Sequence, residues 1–286
     1  MRVGIGLPNP VPGCPGDLLP RWAVAAEEHG FSTLATIDRI AFPNHDSLIT
    51  LAAAAAVTER IELMPNILIA PTRDGVLLAK ETATLASISG GRLTLGVGVG
   101  GRQDDFTATG TDYGSRGQRM DEMLDLMIRA WRGEPVAGST EPVVPQLPGG
   151  SIPLLIGGTS DAAVRRTIEH GTGWTAGGAP PDQVASFADR IREAWRDAGR
   201  GGEPRIAALT YFSLGDDVEA ASYQYLRHYY RFLGDYTERI AENALRSADS
   251  IKDAVAKYAD AGIDDLILDP TVADLSQVER LADVVR

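Results

Sequence analysis

The sequence predicts an α/β protein, a (β/α)8 barrel formed as a single domain over residues 1–286. Three observations predict it. Apolar strand-like runs alternate with helical patterns from end to end, as expected of a parallel sheet with crossover helices. Eight such units fit within 286 residues, a usual length for one closed barrel. No low-complexity stretch or long linker splits the chain in two. A doubly wound open sheet is the structural alternative.

The first strand is Val3–Leu7, followed by a helix over Leu18–His29 with Asp17 as its N-cap and Gly30 as its stop. Thr33–Thr36 is the second strand and Ser47–Thr58 its helix. Ile61–Ile69 reads as one continuous third strand, followed by a helix over Gly75–Ser87. Leu93–Val99 alternates as a buried fourth strand rich in glycine, and its helix runs over Ser115–Trp131. The intervening segment 104–114 is polar and Gly-rich, which argues against a helix starting there. The Pro-, Gly- and Val-rich stretch 133–153 reads as an insertion or a short hairpin. Leu154–Ile156 and Gly173–Ala176 are strands five and six, with helices over Asp161–His170 and Asp182–Ala198. Ile206–Leu214 is strand seven, followed by a long helical region over 218–247 and a helix over Ser250–Ala261. Asp265–Leu268 is strand eight, and Leu275–Val285 closes the chain.

Composition narrows the function. Hydrophobic residues make up 44% and charged residues 23%, ordinary for a globular protein. The net charge of −12 repels nucleic acid and anionic membranes, so neither is expected as a partner. Cys14 is the only cysteine, which rules out an internal disulfide and any thiolate-rich zinc site. No signal peptide or membrane-length apolar run is read, so the expected location is cytoplasmic. The four histidines, at 29, 45, 170 and 228, form no HxH pair, which disfavours a metal-dependent hydrolase.

A barrel of this kind builds its site from the loops at the C-terminal strand ends. Two of those loops carry paired glycines into a helix: Gly157-Gly158-Thr159-Ser160 and Gly177-Gly178. Glycines let backbone N–H groups approach an anion, and a helix N-terminus adds unpaired donors. The pair reads as a phosphate cradle, with tight turns and a Ser160 helix cap as the plainer reading. Gly96 and Gly98 share one strand face, leaving room for a flat ring or for large neighbours.

Three blocks, VTERIELMPNILIAPTRDGVLLAKETATL at 57–85, SGGRLTLGVGVGGRQDDFTATGTDYGSR at 89–116 and IPLLIGGTSDAAVRRTIEHGTGWTAGG at 152–178, resemble the luciferase-like monooxygenase superfamily in order and spacing. The resemblance implies a TIM barrel with insertion segments, binding reduced FMN or the deazaflavin F420 with its ring in the barrel mouth. It implies a non-proline cis peptide near Asn66–Ile67, and ring or phosphate contacts from Asn66, Ile67, Gly98, Gly157, Gly158, Thr159, Gly177 and Gly178. Tyr113, Ser115 and Arg116 fall where the family has a mobile loop, so Arg116 is a candidate to pair with a phosphate or an acidic substrate. Many members end the second strand with an acidic residue and a catalytic His, and here the pair reads Asp38-Arg39. Arg39 cannot act as a base, though it can stabilise an anion. Val99 replaces a family phosphate-binding Arg, which leaves Arg102 or the glycine loops to anchor the phosphate.

The first expectation is therefore a two-component monooxygenase using FMNH2 and O2 on a small organic substrate, with a separate flavin reductase as partner. An F420-dependent hydride-transfer enzyme is the second, and a non-catalytic flavin-binding protein the third. The family implies a homodimer; the small-residue surfaces at 52–57 and 77–87 are candidates for its interface or, as the sequence alone slightly favours, for packing on the barrel.

Overall fold

The computed structural model describes residues 1–286, the side chain of Pro148 excepted. Its strands are β1 (Arg2–Gly6), β2 (Thr33–Thr36), β3 (Glu62–Pro65), β4 (Leu68–Ile69), β5 (Leu95–Gly98), β6 (Leu154–Gly157), β7 (Gly173–Thr175), β8 (Arg205–Phe212) and β9 (Asp265–Pro270). They form one sheet in the order β3-β2-β1-β9-β8-β7-β6-β5-β4, and every pairing is parallel. β3 and β4 are two halves of the third barrel strand. A parallel bridge between Leu63 and Leu93 joins β3 to the start of the fourth barrel strand, so the ring closes.

The helices are α1 (Leu18–Glu28), α2 (Ser47–Val57), α3 (Gly75–Ile88), α4 (Gln103–Thr109), α5 (Arg116–Trp131), α6 (Asp161–His170), α7 (Pro181–Asp197), α8 (Glu219–Tyr230), α9 (Tyr236–Glu242), α10 (Ala248–Asp260) and α11 (Ser276–Val285). Several begin at side chains that satisfy the free N–H groups of the first turn. Asp46 accepts from Ile49 N at 2.9 Å, and Asp74 accepts from Val76 N and Leu77 N. Ser247 and Ser250 form a reciprocal capping box on α10. No helix among the described residues is long and apolar enough to cross a membrane.

Five expectations are corrected or narrowed. Asp17 does not cap α1: its backbone is already helical (φ −72°, ψ −16°), so its carboxylate pairs with Arg21 instead. The third strand is broken by a cis peptide between Asn66 and Ile67. A helix, α4, does follow the glycine-rich strand, because Asp105 and Phe106 are buried and hold it against the barrel. Residues 133–153 contain no hairpin: Val136, Leu147 and Ile152 tuck into the core from a strandless loop with one 3-10 turn at Pro148–Gly150. The long helical region after β8 is also two helices, α8 and α9, separated by a 3-10 turn and by Gly234 at φ +56°.

The barrel interior is layered, as the two-residue period of a strand requires. At the N-terminal strand ends Arg205 donates to Glu62 (2.6 and 3.0 Å) and to Asp265 (2.7 Å). Above it lies an apolar layer of Ala35, Met64, Leu155, Ala207 and Ile267. Two residues further along each strand come Ile37, Asn66, Gly157, Leu209 and Asp269, the floor of the C-terminal mouth.

Candidate functional site

Ile67 shapes that floor. A Cβ added at Gly98 would lie 2.7 Å from Ile67 Cδ1, and one at Gly157 would lie 3.0 Å from Ile67 Cγ2. A Cβ at Gly96 would lie 2.3 Å from the Pro65 carbonyl oxygen. The expected space beside Gly96 and Gly98 is thus filled by the bulged third strand, and Ile67 presents its apolar side chain to the mouth.

The mouth is a cavity of about 340 Å³. Asn66, Ile67, Arg102, Gly177, Tyr211 and Tyr230 line it together with Tyr229 and Phe232. Asn66 Oδ1 accepts a hydrogen bond from Thr175 Oγ1 at 2.7 Å, which fixes the amide. Its Nδ2 is buried without a partner. An unmade bond from such a group costs about 1–3 kcal/mol, so a ligand acceptor placed there would recover it.

A second chamber, of about 340 Å³, adjoins the mouth at Gly177, Gly178 and Tyr230. Gly158, Thr159, Gln183 and Trp174 line it. The backbone at Gly158 has φ +107°, a conformation open to glycine. Ser160 caps α6 by accepting from Ala163 N, so the plainer reading holds for it. The α7 end is a poorer anion site, because Pro180 and Pro181 carry no N–H. Among the described residues no Lys or Arg lines this chamber. A third groove, of about 290 Å³, continues from Gly178 past Tyr236 to Lys257, which pairs with Asp253 at 2.7 Å.

Both members of the Asp38-Arg39 pair are already engaged by other side chains, although Asp38 lines the mouth. Asp38 accepts from Ile69 N (3.0 Å) and from Arg73 Nη2 (3.1 Å), which ties the second strand to the displaced third. Burial nevertheless raises its pKa, against the pull of Arg73. Arg39, expected to face a developing anion, is turned away from the mouth. Its Nε donates to both oxygens of Asp105 (2.8 and 3.0 Å), and Nη2 donates to Asp104 (3.1 Å). Its charge is therefore already neutralised. Arg116 stacks over Tyr113 at 3.8 Å and donates to the Tyr113 carbonyl, and it does not line the mouth. Arg102 lines the mouth and is absent from the lining of the glycine-loop chamber. His45 Nε2 lies 2.9 Å from the Cys14 carbonyl oxygen, which anchors it in the loop.

Sequence reasoning missed the aromatic side of the mouth. Tyr211 Oη and Tyr230 Oη are 2.6 Å apart; Tyr211, on β8, is buried, and Tyr230, at the end of α8, is half-buried. Burial is the main cause that raises both pKa values, so both hydroxyls stay protonated near neutrality. Asp269, in register with Tyr211, is buried with neither carboxyl oxygen hydrogen-bonded, and burial drives its pKa well up. The run HYYRF at 228–232, inside a long insertion, was the available signal.

The model of the luciferase-like monooxygenase family matches residues 1–285. An uncharacterised protein of Mycobacterium tuberculosis is 29% identical over 222 residues, covering 67% of this chain and 77% of that protein. An F420-dependent glucose-6-phosphate dehydrogenase of Nakamurella multipartita is 32% identical over 196 residues, covering 62% of this chain and 58% of that enzyme. Among solved structures, a monooxygenase from Streptomyces bottropensis superposes with a TM-score of 0.80 at 22% identity, covering 99% of this chain and 97% of its own. The coenzyme F420 dependent tetrahydromethanopterin reductase of Methanopyrus kandleri gives 0.76 at 19%, covering 100% and 99%. At these identities the structural likenesses bear on the fold.

Proposed function

The chain belongs to the luciferase-like monooxygenase family, and from that membership we propose that it is an F420-dependent oxidoreductase that reduces a small organic acceptor. The observation that carries the choice of cofactor is the glycine-loop chamber, which offers N–H and hydroxyl donors but no cationic side chain among the described residues. FMN ends in a phosphomonoester carrying between one and two charges near neutrality, and a buried dianion calls for Arg or Lys. F420 carries a phosphodiester there, with a single charge that neutral donors can hold, and an acidic tail beyond it. The groove from Gly178 to Lys257 gives that tail a path. The 32% identical dehydrogenase named for F420 supports the same reading. This reverses the order of the two cofactors expected from sequence.

The residues fit the group. Ile67 is an apolar floor for a flat ring, and the buried, unpartnered Nδ2 of Asn66 is a donor for a ring acceptor. Gly158, Thr159, Gly177 and Gly178 are placed for the phosphodiester. A bound reduced deazaflavin supplies two electrons as a hydride. The protein must then supply a proton to the acceptor. With Asp38 and Asp105 committed to arginines and the mouth lined by no histidine, Tyr230 is the donor, and Tyr211 hydrogen-bonds the oxygen that gives the proton up.

Anaerobic titration, followed by quenching of the chamber's Trp174, tests the cofactor. Micromolar binding of F420 is expected, with FMN at least about tenfold weaker, as one uncompensated charge costs at least about 1.4 kcal/mol. Tighter binding of reduced FMN would sink the F420 assignment and return the oxygen-using alternative to first place.

The proposed protein is also a homodimer. Ile49, Leu77 and Ile88 project from α2 and α3 with 74%, 58% and 55% of their surface exposed. Ile49 and Ile88 line one groove between α2 and α3, and exposed apolar side chains of this kind mark an interaction surface. Light scattering should give about twice the mass of one chain, and Ile49→Arg should give a monomer. A monomeric wild type at micromolar concentration would count against it.

A further inference from the structure

Arg102 is a cation set into the mouth without a carboxylate partner. Its guanidinium carbon lies 4.3 Å from the Tyr229 ring centre, 4.3 Å from Phe232 and 5.5 Å from Tyr230. Nη2 donates to the Tyr229 carbonyl at 2.9 Å. Nε is buried and has no partner. No ion pair to Arg102 forms among the described residues, whereas Arg39 and Arg73, at the same end of the barrel, are each shared by two carboxylates. Three rings fix the fork in place, so little conformational entropy remains to be lost when an anion arrives.

We propose that Arg102 is the binding site for a carboxylate on the acceptor substrate, which makes the substrate class small, flat organic acids. The proposal deepens the reductase reading and rests on it for the word substrate, though the anion site itself is independent of the cofactor. The planar fork matches a planar carboxylate, and the flanking tyrosine and phenylalanine faces suit an unsaturated or aromatic body beside it. The anion would take up the buried Nε donor that the protein leaves unmatched. The cofactor phosphate is a poorer alternative occupant, because Gly158 and Thr159 line the second chamber, from which Arg102 is absent, and only Gly177 and Gly178 border both.

The test is ligand-observed NMR with benzoate, its neutral isostere benzamide, and phenyl phosphate, on the wild-type protein with and without F420. Benzoate is expected to bind at least about tenfold tighter than benzamide in the wild type. In Arg102→Met that preference should vanish while F420 affinity stays within about twofold. Arg102→Lys, which keeps the charge and loses the fork, should keep a reduced preference. Equal binding of benzoate and benzamide to the wild type would overturn the proposal without any variant having to fold. A loss of F420 binding in Arg102→Met would overturn it by assigning the arginine to the cofactor. Tighter binding of phenyl phosphate than benzoate would overturn the carboxylate in favour of a phosphorylated substrate. Failure of F420 to bind the wild type, with benzoate preference intact, would remove the reductase reading alone.

Discussion

Replacing Arg205 with Met is expected to cost the fold about 3–5 kcal/mol, near 10 °C or more in melting temperature for a chain of this size. Arg205 closes the base of the barrel. Its Nε reaches Asp265 at 2.7 Å, and its two terminal nitrogens reach Glu62 at 2.6 and 3.0 Å. The Asp265 side chain is fully buried and that of Glu62 is 16% exposed, so removing the cation strands two carboxylates in a poorly hydrated layer. Arg2, within 2.7 Å of Asp265 and 3.2 Å of Glu62, offsets part of the loss from its more exposed position. The effect depends on pH in a defined sense. The hydrogen bonds and charge of Arg205 hold Glu62 below the usual carboxylate range. Stability from that shift is present above the ordinary glutamate pKa of about 4.3 and is lost as pH falls through the lower folded value. The gap between wild type and Arg205→Met should therefore narrow in acid. Glu62→Gln in the Arg205→Met background should recover part of the loss, since one of the stranded charges is gone. Urea unfolding at pH 7 and pH 4 measures all three. A loss under about 1 kcal/mol at pH 7 would mean the base layer is hydrated and the ion network decorative.

How far such features could be read in advance depends on whether their cause is local. Alternation of strands and helices is a local pattern, and it carried the barrel from Val3 to Val285. The glycine pairs at 157–158 and 177–178 are visible as residue types, and Gly158, at φ +107°, takes a backbone conformation that favours glycine. The cis peptide at Asn66–Ile67 was legible through the resemblance, and its consequence was not: the third strand reads as continuous because Ile61–Ile69 is apolar apart from Glu62 and Asn66. Gly96 and Gly98 read as room for a ring or for large neighbours, and the neighbours that need the room are the Pro65 carbonyl and Ile67, on another strand. Arg39 failed for the same reason, since its carboxylates lie 65 and 66 positions along the chain. The aromatic wall of the mouth was least accessible. Arg102 and Tyr229 are separated by 127 positions, and a helical pattern over 218–247 says nothing of which tyrosines fold back over the barrel. Convergence of distant loops is what builds the site, and single-segment patterns do not encode it.

Tyr230→Phe tests the chemistry where that convergence is tightest. The hydroxyl is expected to protonate the acceptor as hydride arrives, so its removal should slow turnover by about 10²–10³-fold, within the usual contribution of a positioned acid. Burial raises the Tyr230 pKa, with the neighbouring Tyr229 adding to it, so the group holds its proton across the neutral range. Two features lower the cost of releasing it. Tyr211 Oη, 2.6 Å away, can donate to the phenolate oxygen, and the Arg102 guanidinium lies 5.5 Å from the Tyr230 ring centre. Tyr211→Phe should therefore slow the same step less, by about tenfold, since it removes support for the acid and leaves the acid in place. The measurement is single-turnover oxidation of protein-bound reduced F420 by the fastest acceptor in a screen of enones and ketones, in H2O and D2O. F420 affinity should stay within about twofold in both variants, because neither hydroxyl is assigned to the cofactor. Wild-type rates in Tyr230→Phe would remove Tyr230 as the acid and leave solvent as the proton source. Equal losses in the two variants with a weakened F420 complex would instead mean that the tyrosine pair shapes the cofactor pocket. A large loss in Tyr230→Phe alone, with binding intact and an altered solvent isotope effect, is the outcome required if this mouth carries out its proton transfer through a phenol in place of the family's histidine.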